Sequence, residues 1–237
     1  MKRICLLFFL FGTLTLSAQK TVHDANATTR EAKNFHAIEI ADGVDLFLTQ
    51  SNEEAVAVSA STDEYRNRIR TEVINGVLKI YFNQEGTWKL NWFGNRKLKA
   101  YVSVKTLDKL VASGGSDVFI ENEVSATRLT LTLSGGSDFR GKVVAGELKI
   151  SASGGSDAYI SGKAEQLSIN ASGGSDVHGF ELISNTCSIE SSGGSDVRIT
   201  ANKELRASAS GGSDVYYKGS ASSNTSKSGG GSVKKVE

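Results

Sequence analysis

Proline is wholly absent from this sequence of 237 residues, although average usage of about 5% would supply about twelve. Because proline removes a backbone donor from a strand ladder, its absence suits a chain made almost entirely of strands and tight corners. Cysteine is nearly absent, occurring only as Cys5 and Cys187. Cys5 lies in an apolar N-terminal run, so we expect stability to come from burial and ladder hydrogen bonds and not from an internal disulfide.

The residue types that carry catalysis are scarce. Histidine occurs only as His23, His36 and His178, and no histidine or cysteine spacing is typical of a zinc site. The recurring Gly-Gly-Ser-Asp differs from the Gly-x-Ser-x-Gly elbow, which needs a strand–turn–helix context and a histidine partner. We therefore expect no enzymatic activity, no cofactor and no metal site.

An excess of one charge is also missing. The chain has 27 Lys and Arg residues against 26 Asp and Glu residues, a formal net charge of +1. This balance argues against a partner held by bulk charge, so no nucleic-acid partner is expected. Past the N-terminus no stretch approaches the run of about 18 apolar residues that a membrane span needs, so no transmembrane segment is expected.

The N-terminus has the pattern of a targeting segment. A basic start, an apolar run and the small residues Ser17-Ala18 predict that residues 1–18 are a secretory signal peptide. The protein is therefore expected to be exported, with the periplasm, the outer cell surface and the medium all open as destinations. Residues 19–34 lack periodicity and are predicted to be a flexible leader.

What the chain does have is a repeat of Ser-Gly-Gly-Ser-Asp. Its copies begin 18 to 21 residues apart, which is typical of a solenoid in which one structural unit stacks on the next. A final copy, Ser228–Ser232, keeps glycines but has serine in place of the aspartate. The complete copies are Ser113–Asp117, Ser134–Asp138, Ser153–Asp157, Ser172–Asp176, Ser192–Asp196 and Ser210–Asp214.

Apolar and polar residues alternate on both sides of each copy, so strands flank a glycine corner. The fold class predicted is an all-β parallel β-helix with coils of about 20 residues. The leucine-rich repeat and the calcium-binding nonapeptide roll do not fit the spacing. Cys187 takes a core position that leucine fills in other coils. One interior column is predicted to hold Leu131, Ile150, Ile169, Ile189 and Ala207.

Two outward columns follow from the same alternation. Stacked carboxylates about 4.8 Å apart repel by about 1 kcal/mol in a water-like dielectric, so something must offset the charge. The main interpretation is that each aspartate caps its own glycine turn; Arg140, Arg198, a bound cation or a glycan contact are alternatives. The predicted aspartate ladder is Asp117, Asp138, Asp157, Asp176, Asp196 and Asp214. Two residues further on stand Phe119, Arg140, Tyr159, His178, Arg198 and Tyr216.

The chain before the repeats is less regular. Residues 35–111 are interpreted as irregular coils of the same domain, which then continues through the regular coils of 112–237. Ala41–Asp45 takes the place of a corner, Tyr65–Val73 is predicted to be a strand, and Asn75-Gly76 signals a local reversal. The loop Asn83–Lys97 holds Trp88 and Trp92, which either contact a ligand or cap the coil.

Several motifs in chain order carry a resemblance to a known family. They are Phe35-x-x-Ile38-x-Ile40, Gly43-x-Asp45-Leu46-x-Leu48-Thr49-Gln50, Leu107-x-x-Leu110-x-x-Ser113-Gly114, the repeated pentapeptide and the terminal Ser228–Val233. The sequence resembles over residues 35–236 the head GIN domain family, whose members are labelled auto-transporter adhesins and are common in envelopes of the Bacteroidetes. The resemblance implies a right-handed parallel β-helix and adhesion as the working function.

Three functions remain open at this point. An adhesin-like protein would bind a glycan or a cell-surface protein, with Tyr159, His178, Arg198, Tyr216, Trp88 and Trp92 as the candidate contacts. A structural envelope protein would have no ligand and would tolerate changes in the outer columns. A polysaccharide-active enzyme would need one coil that departs from the pattern, with acids and bases converging there.

Overall fold

The computed structural model describes residues 24–85 and 96–237 and is 64% strand and 3% helix. It forms a β-solenoid of about 7 turns with coils of about 19 residues. The N-terminal elements are β1 (Thr28–Arg30), β2 (Ala37–Ile40), β3 (Asp45–Gln50), β4 (Ala55–Ser59), α1 (Asp63–Arg68), β5 (Ile69–Ile74), β6 (Val77–Phe82), β7 (Lys99–Val104) and β8 (Lys109–Ala112). The repeat region holds β9 (Val118–Leu133), β10 (Phe139–Ser153), β11 (Ala158–Ser172), β12 (Val177–Ser191), β13 (Asp196–Ala209), β14 (Asp214–Lys218), β15 (Ser222–Lys227) and β16 (Ser232–Lys235).

The repeat coils stack in parallel register, as the alternation predicts. β9 to β13 pair in chain order, and equivalent residues of successive coils lie opposite one another. Cys187 lies between Leu167 and Leu205 in the leucine column and is buried. The predicted interior column is confirmed, because its members are in register and none is more than 4% exposed: Leu131, Ile150, Ile169, Ile189 and Ala207.

Glycine is needed at the corners for two reasons. The first glycine of every pair has a positive φ, between 63° and 78°, which L side chains rarely adopt. A Cβ on Gly154 would also lie only 3.3 Å from the backbone nitrogen of Gly135 in the coil below. Asp42, with φ of 63°, takes this position in the first coil, so Ala41–Asp45 is a corner as predicted.

The spacing between copies varies because some coils bulge. The stretches that vary between copies, such as 123–127 and 142–147, lie inside the long strands β9 and β10. Register breaks there between Arg140 and Lys142, opposite the two additional residues of the longest coil. Further breaks fall between Tyr159 and Gly162 and between Gly179 and Ile183, so the solenoid absorbs insertions as β-bulges on one side.

The N-terminal coils do not follow chain order. β2 pairs with β6 on one side and with β8 on the other, while β3 lies between β7 and β9. The coil formed by β6 and β7 therefore lies beneath the coil formed by β2 and β3, although it comes later in the chain. Antiparallel strands close this end of the solenoid: β5 pairs with β6, β4 with β7 and β1 with β4.

Two parts of this end differ from the sequence-based expectation. Thr28–Arg30, within the predicted flexible leader, forms β1, and the buried Ala32 fixes the segment that follows it. The predicted strand Tyr65–Val73 is wrong in its first half. There Thr62 caps α1 by accepting a hydrogen bond from the backbone nitrogen of Tyr65, and acidic residues fill the first helical turn.

The C-terminal end is polar. β15 pairs with β13, β16 pairs with β14, and every residue of β15 is exposed. In β15 the polar residues Ser223 and Thr225 lie opposite Leu205 and Ala207 of β13. Among the described residues helix is rare, and no helix there has the length and apolar character to cross a membrane.

Candidate functional site: the outer ladder and the aspartate column

One side of the solenoid carries a continuous column of aromatic and basic side chains, which we call the outer ladder. Each member comes from a different coil, on β7, on β3 or on one of the strands that follow the glycine corners. Successive members lie opposite one another in the parallel register of these strands. It is longer than the sequence analysis predicted. In spatial order it consists of Tyr101, Phe47, Phe119, Arg140, Tyr159, His178, Arg198, Tyr216 and Lys234.

The aromatic rings in the first part of the ladder stack on one another. Phe47 lies between Tyr101 and Phe119, with 5.2 Å between ring centroids on each side. In the middle of the ladder the Tyr159 and His178 rings are 4.5 Å apart and nearly parallel, at 9°. The side chains therefore pack along the solenoid axis and hold one another in fixed positions.

Cations cover the remaining faces of the two ladder tyrosines in the repeat region. The Arg140 guanidinium lies 4.4 Å from the Tyr159 ring centroid, on a ring that also stacks with His178. Tyr216 has Arg198 and Lys234 at 5.4 and 5.6 Å. Because these rings are engaged through their faces, the surface they offer consists of ring edges, hydroxyl groups and the tips of charged side chains.

The aspartates form a second column beside the ladder, which we call the aspartate column. Its members, Asp45, Asp117, Asp138, Asp157, Asp176, Asp196 and Asp214, are half-buried. In each coil Oδ1 accepts a hydrogen bond from the backbone nitrogen of the next aspartate along the column, at 2.9 to 3.3 Å. At the end of the column, Ser232 donates its hydroxyl to Asp214 Oδ1.

This geometry corrects the interpretation that each aspartate caps its own turn. The carboxylates bridge successive coils, and in three of the six copies the second serine of the pentapeptide closes the corner instead. In one coil Ser175 Oγ donates to the carbonyl oxygen of Ser172 at 3.0 Å and accepts from its backbone nitrogen at 3.2 Å. All six second serines are fully buried. In the earlier coils the Ser137 and Ser156 hydroxyls accept instead the backbone N–H of the second serine one coil before, so there the serine also links successive coils.

The other carboxylate oxygen of several aspartates faces the outer ladder. Arg140 Nη2 and Arg198 Nη2 lie 3.4 and 3.0 Å from Oδ2 of the aspartate two residues earlier. His178 Nε2 lies 3.9 Å from Asp176 Oδ2, and the Tyr216 hydroxyl donates to Asp214 Oδ2 at 2.9 Å. Backbone N–H groups and these neighbours together offset the repulsion between stacked carboxylates, and the arginines do so as the sequence suggested.

The two ends of the aspartate column differ electrostatically. Burial raises the pKa of Asp45 above its ordinary value of 3.8; the nearby charge of Asp117 adds to the rise, while its backbone N–H opposes it. At the opposite end, hydrogen bonds from the Ser232 and Tyr216 hydroxyls lower the pKa of Asp214. Across residues 24–85 and 96–237, no three His, Cys, Asp or Glu side chains converge so as to hold a metal ion.

The structure brings together four of the predicted contacts, Tyr159, His178, Arg198 and Tyr216, in consecutive coils. Trp88 and Trp92 lie outside the described residues. Phe47 and Lys234 were missed as ladder members, although a signal was present, since each stands two residues after an equivalent of the repeat aspartate. Tyr101 had no such signal, because its strand belongs to the coil that the chain places out of order.

A shallow groove of about 330 Å³ lies on a different face, on the strands that precede the corners. Its lining includes Gln166, Thr186, Glu204 and Arg206, with the buried Cys187 beneath. Burial raises the pKa of the Cys187 thiol to about 12, which makes it a poor nucleophile. The groove therefore adds no reactive group to the polar face on which it lies.

Comparison with known families agrees with these features. A family profile described as "Putative auto-transporter adhesin, head GIN domain" matches residues 34–221. The chain belongs to this family. The match spans the coils of both the irregular and the repeat regions, and it confirms the resemblance drawn from the motifs.

Solved structures share the fold of this head GIN domain protein. A "putative adhesin" from Bacteroides fragilis has a TM-score of 0.81 at 21% identity, over 90% of this chain and 98% of that chain. A "putative lipid binding protein" from Parabacteroides distasonis has a TM-score of 0.67 at 20% identity, with coverages of 90% and 98%. A "putative adhesin" from Parabacteroides merdae has a TM-score of 0.63 at 17% identity, with coverages of 89% and 95%. Comparison with functionally curated proteins finds no match.

Proposed function

We propose that this protein is an exported, adhesin-like surface protein that binds a glycan or a cell-surface protein through the outer ladder and performs no chemistry of its own. Residues 1–18 direct it out of the cytoplasm, to the periplasm, the outer surface or the medium. The family description and the names of two structural neighbours support the adhesin-like character. None of the three structural neighbours described above is named as an enzyme.

The observation that carries the proposal is the continuity of the outer ladder. Ring edges, hydroxyls, guanidinium groups and carboxylates recur at the spacing of the coils, so a long ligand can make the same contacts many times. Weak contacts repeated along one surface give high avidity. The register also fixes the side chains before any ligand arrives, which lowers the entropy lost on binding.

The test is binding of the purified mature protein to a glycan array and to intact cells. We expect binding to fall at least tenfold in Tyr159→Ala/Tyr216→Ala, because the two substitutions interrupt the ladder at separate coils. Tyr81→Ala is the matched control, since Tyr81 is a half-buried tyrosine of β6 outside the ladder. Unchanged binding of the double variant, with its melting temperature preserved, would reject the ladder as the binding surface.

Export is tested separately, by fractionation of cells that express the full chain and by the mass of the recovered protein. We expect the protein outside the cytoplasm, shortened by the signal peptide. Full-length protein in the cytoplasm would reject export without bearing on the binding surface.

A second function is favoured by the way the ladder rings engage one another. Because both faces of Phe47, Tyr159 and Tyr216 are covered by ladder neighbours, the same contacts would serve a structural envelope protein that has no ligand. In that case the double tyrosine variant would lose thermal stability, and neither the array nor the cells would bind the parent protein.

A further inference from the structure

Three of the four basic residues of the outer ladder have a carboxylate partner in the same chain, whereas Lys234, in the terminal coil, follows Ser232 in place of an acid. Arg140 lies 3.4 Å from Asp138, Arg198 lies 3.0 Å from Asp196, and His178 lies 3.9 Å from Asp176. Each acid stands two residues before its basic partner, so the repeat itself supplies the pair. Beside the ladder, Lys142 is paired at 2.8 Å with Glu123, which lies opposite it in the preceding coil.

Arg198 shows how little of this positive charge is left for a ligand. Its Nη2 binds Asp196, and its guanidinium lies over the Tyr216 ring. Its Nη1 is inaccessible to solvent and has no hydrogen-bond partner within the described residues. An incoming anion cannot reach Nη1 and would have to displace the Asp196 carboxylate to reach Nη2.

Negative charge, in contrast, is in surplus along this surface. The ladder position after Asp117 holds Phe119 and the position after Asp157 holds Tyr159, neither of which is a cation. Among the described contacts, Oδ2 of Asp117 and of Asp157 has no cation or hydroxyl partner. These oxygens accept hydrogen bonds from hydroxyl groups and repel sulfate, phosphate and carboxylate groups.

We infer that the aspartate column closes the outer ladder to polyanions and makes it selective for uncharged ligands rich in hydroxyl groups. The inference rests on the proposed function, in which the ladder is the binding surface. Hydroxyl groups of a neutral glycan donate to the unpaired carboxylate oxygens and meet the edges of Tyr159 and Tyr216. A sulfated or uronic-acid glycan brings like charge to the same oxygens and finds Nη2 of Arg140 and of Arg198 already paired with aspartates.

Immobilised heparin provides a polyanion probe that requires no knowledge of the natural ligand. The mature protein is loaded at low salt and eluted with increasing sodium chloride. Asp138→Asn/Asp196→Asn frees both guanidinium groups, while the asparagine Oδ1 still accepts the backbone N–H of the next coil. The matched control is Asp117→Asn/Asp157→Asn, which removes the same charge without freeing a cation.

We expect the parent protein and the matched control to pass through the heparin column and Asp138→Asn/Asp196→Asn to be retained. The logarithm of its affinity should fall against the logarithm of salt concentration with a slope of about −2, for two freed cations each contributing about −0.9 as on a nucleic-acid polyanion. Equal retention of both double variants would overturn the inference, because bulk charge would then explain it. Salt-sensitive retention of the parent protein would overturn it as well.

The glycan array separates this inference from the proposed function. Hits confined to neutral glycans support both. Hits on sulfated or uronic-acid glycans that are lost in Tyr159→Ala/Tyr216→Ala would overturn the inference and leave the proposed function standing. An array and cells without any binding would overturn the proposed function and, with it, the ligand class.

Discussion

Gln50 and Asn122 are joined as if by a short piece of β-ladder. The Gln50 backbone nitrogen donates to Asn122 Oδ1 at 3.0 Å, and Asn122 Nδ2 donates to the Gln50 carbonyl oxygen at 2.9 Å. Strand pairing between β3 and β9 has ended just before this point, at Leu48 and Ile120. A side-chain amide thus satisfies backbone groups where the longest coil bulges away from its neighbour.

The Gln50 side chain adds further hydrogen bonds to this contact, and we call the whole set the Gln50 clamp. Its Nε2 donates to the carbonyl oxygens of Lys105 and Ser125, and its Oε1 accepts from the Ser125 backbone nitrogen at 2.7 Å. Gln50→Ala should therefore destabilise the protein by about 2–4 kcal/mol, since each lost hydrogen bond is worth about 1 kcal/mol and backbone groups remain unpaired. Chemical denaturation measures this. Gln166→Ala, at an exposed position, should change stability by less than about 0.5 kcal/mol; equal effects would refute the clamp.

The glycine corners allow a comparison between equivalent positions of different coils. Gly155 has φ of 78°, whereas Gly194, the same residue of its pentapeptide, is outside the positive-φ region, and a Cβ added to either would meet no atom within 4 Å. Gly155→Ala should cost about 1–2 kcal/mol through backbone strain. Gly194→Ala should be neutral or stabilising by up to about 1 kcal/mol, because alanine restricts the unfolded chain. Melting curves that show the same loss for both variants would contradict this account.

The repeat region was largely predictable because the same sequence pattern, an alternating strand followed by a glycine corner, recurs in every coil. A period-2 pattern that faces a core on one side fixes the register of a strand, so columns such as Ile150 and Ile169 follow from spacing alone. The glycine corners follow likewise, because few residues other than glycine tolerate the required φ. Because the pattern recurs in several coils, one coil that departs from it does not obscure the period.

The N-terminal end was less predictable because its partners are distant in sequence. No local sequence signal shows that β6 and β7 lie beneath β2 and β3. The order of the coils depends on which edge strand each new strand pairs with, and that choice is made over long sequence separations. The sequence also did not reveal that Asp138 would bond to the backbone of Asp157 and not to its own turn. Both arrangements put a carboxylate beside N–H groups, and only the stacking of coils decides between them.

The reactivity of the Cys187 thiol tests whether the leucine column is buried. Its thiol is buried and its pKa is raised to about 12, so almost none of it is thiolate at pH 8. The native mature protein should resist iodoacetamide for hours, and labelling should become fast in denaturant, when the pKa returns to its ordinary value. Mass spectrometry follows the modification. Rapid labelling of the native protein, with its circular dichroism unchanged, would mean that Cys187 faces solvent.

The aspartate column should respond to pH with opposite signs at its two ends. Because the folded-state pKa of Asp214 is lowered, its contribution is fully present above the unfolded pKa and is lost as pH falls through the folded pKa. Asp45 has a raised folded-state pKa, so the folded state binds its proton more tightly. Stability from that residue is present below the unfolded pKa and is lost as pH rises through the folded pKa.

Asparagine substitutions separate the two ends. Asp45→Asn should raise stability at pH 7, because Oδ1 still accepts the Asp117 backbone N–H while the buried charge and its repulsion with Asp117 disappear. Asp214→Asn should lower stability at pH 7, because the charge that accepts the Ser232 and Tyr216 hydroxyls is lost. The Asp45 difference should shrink as the pH falls through the raised folded-state pKa of Asp45, and the Asp214 difference should shrink only at lower pH, through the lowered folded-state pKa of Asp214. Urea denaturation at pH 7 and at a series of acidic pH values measures both differences. A change of the same sign at both positions would show that uniform repulsion governs the column in place of local burial and hydrogen bonding.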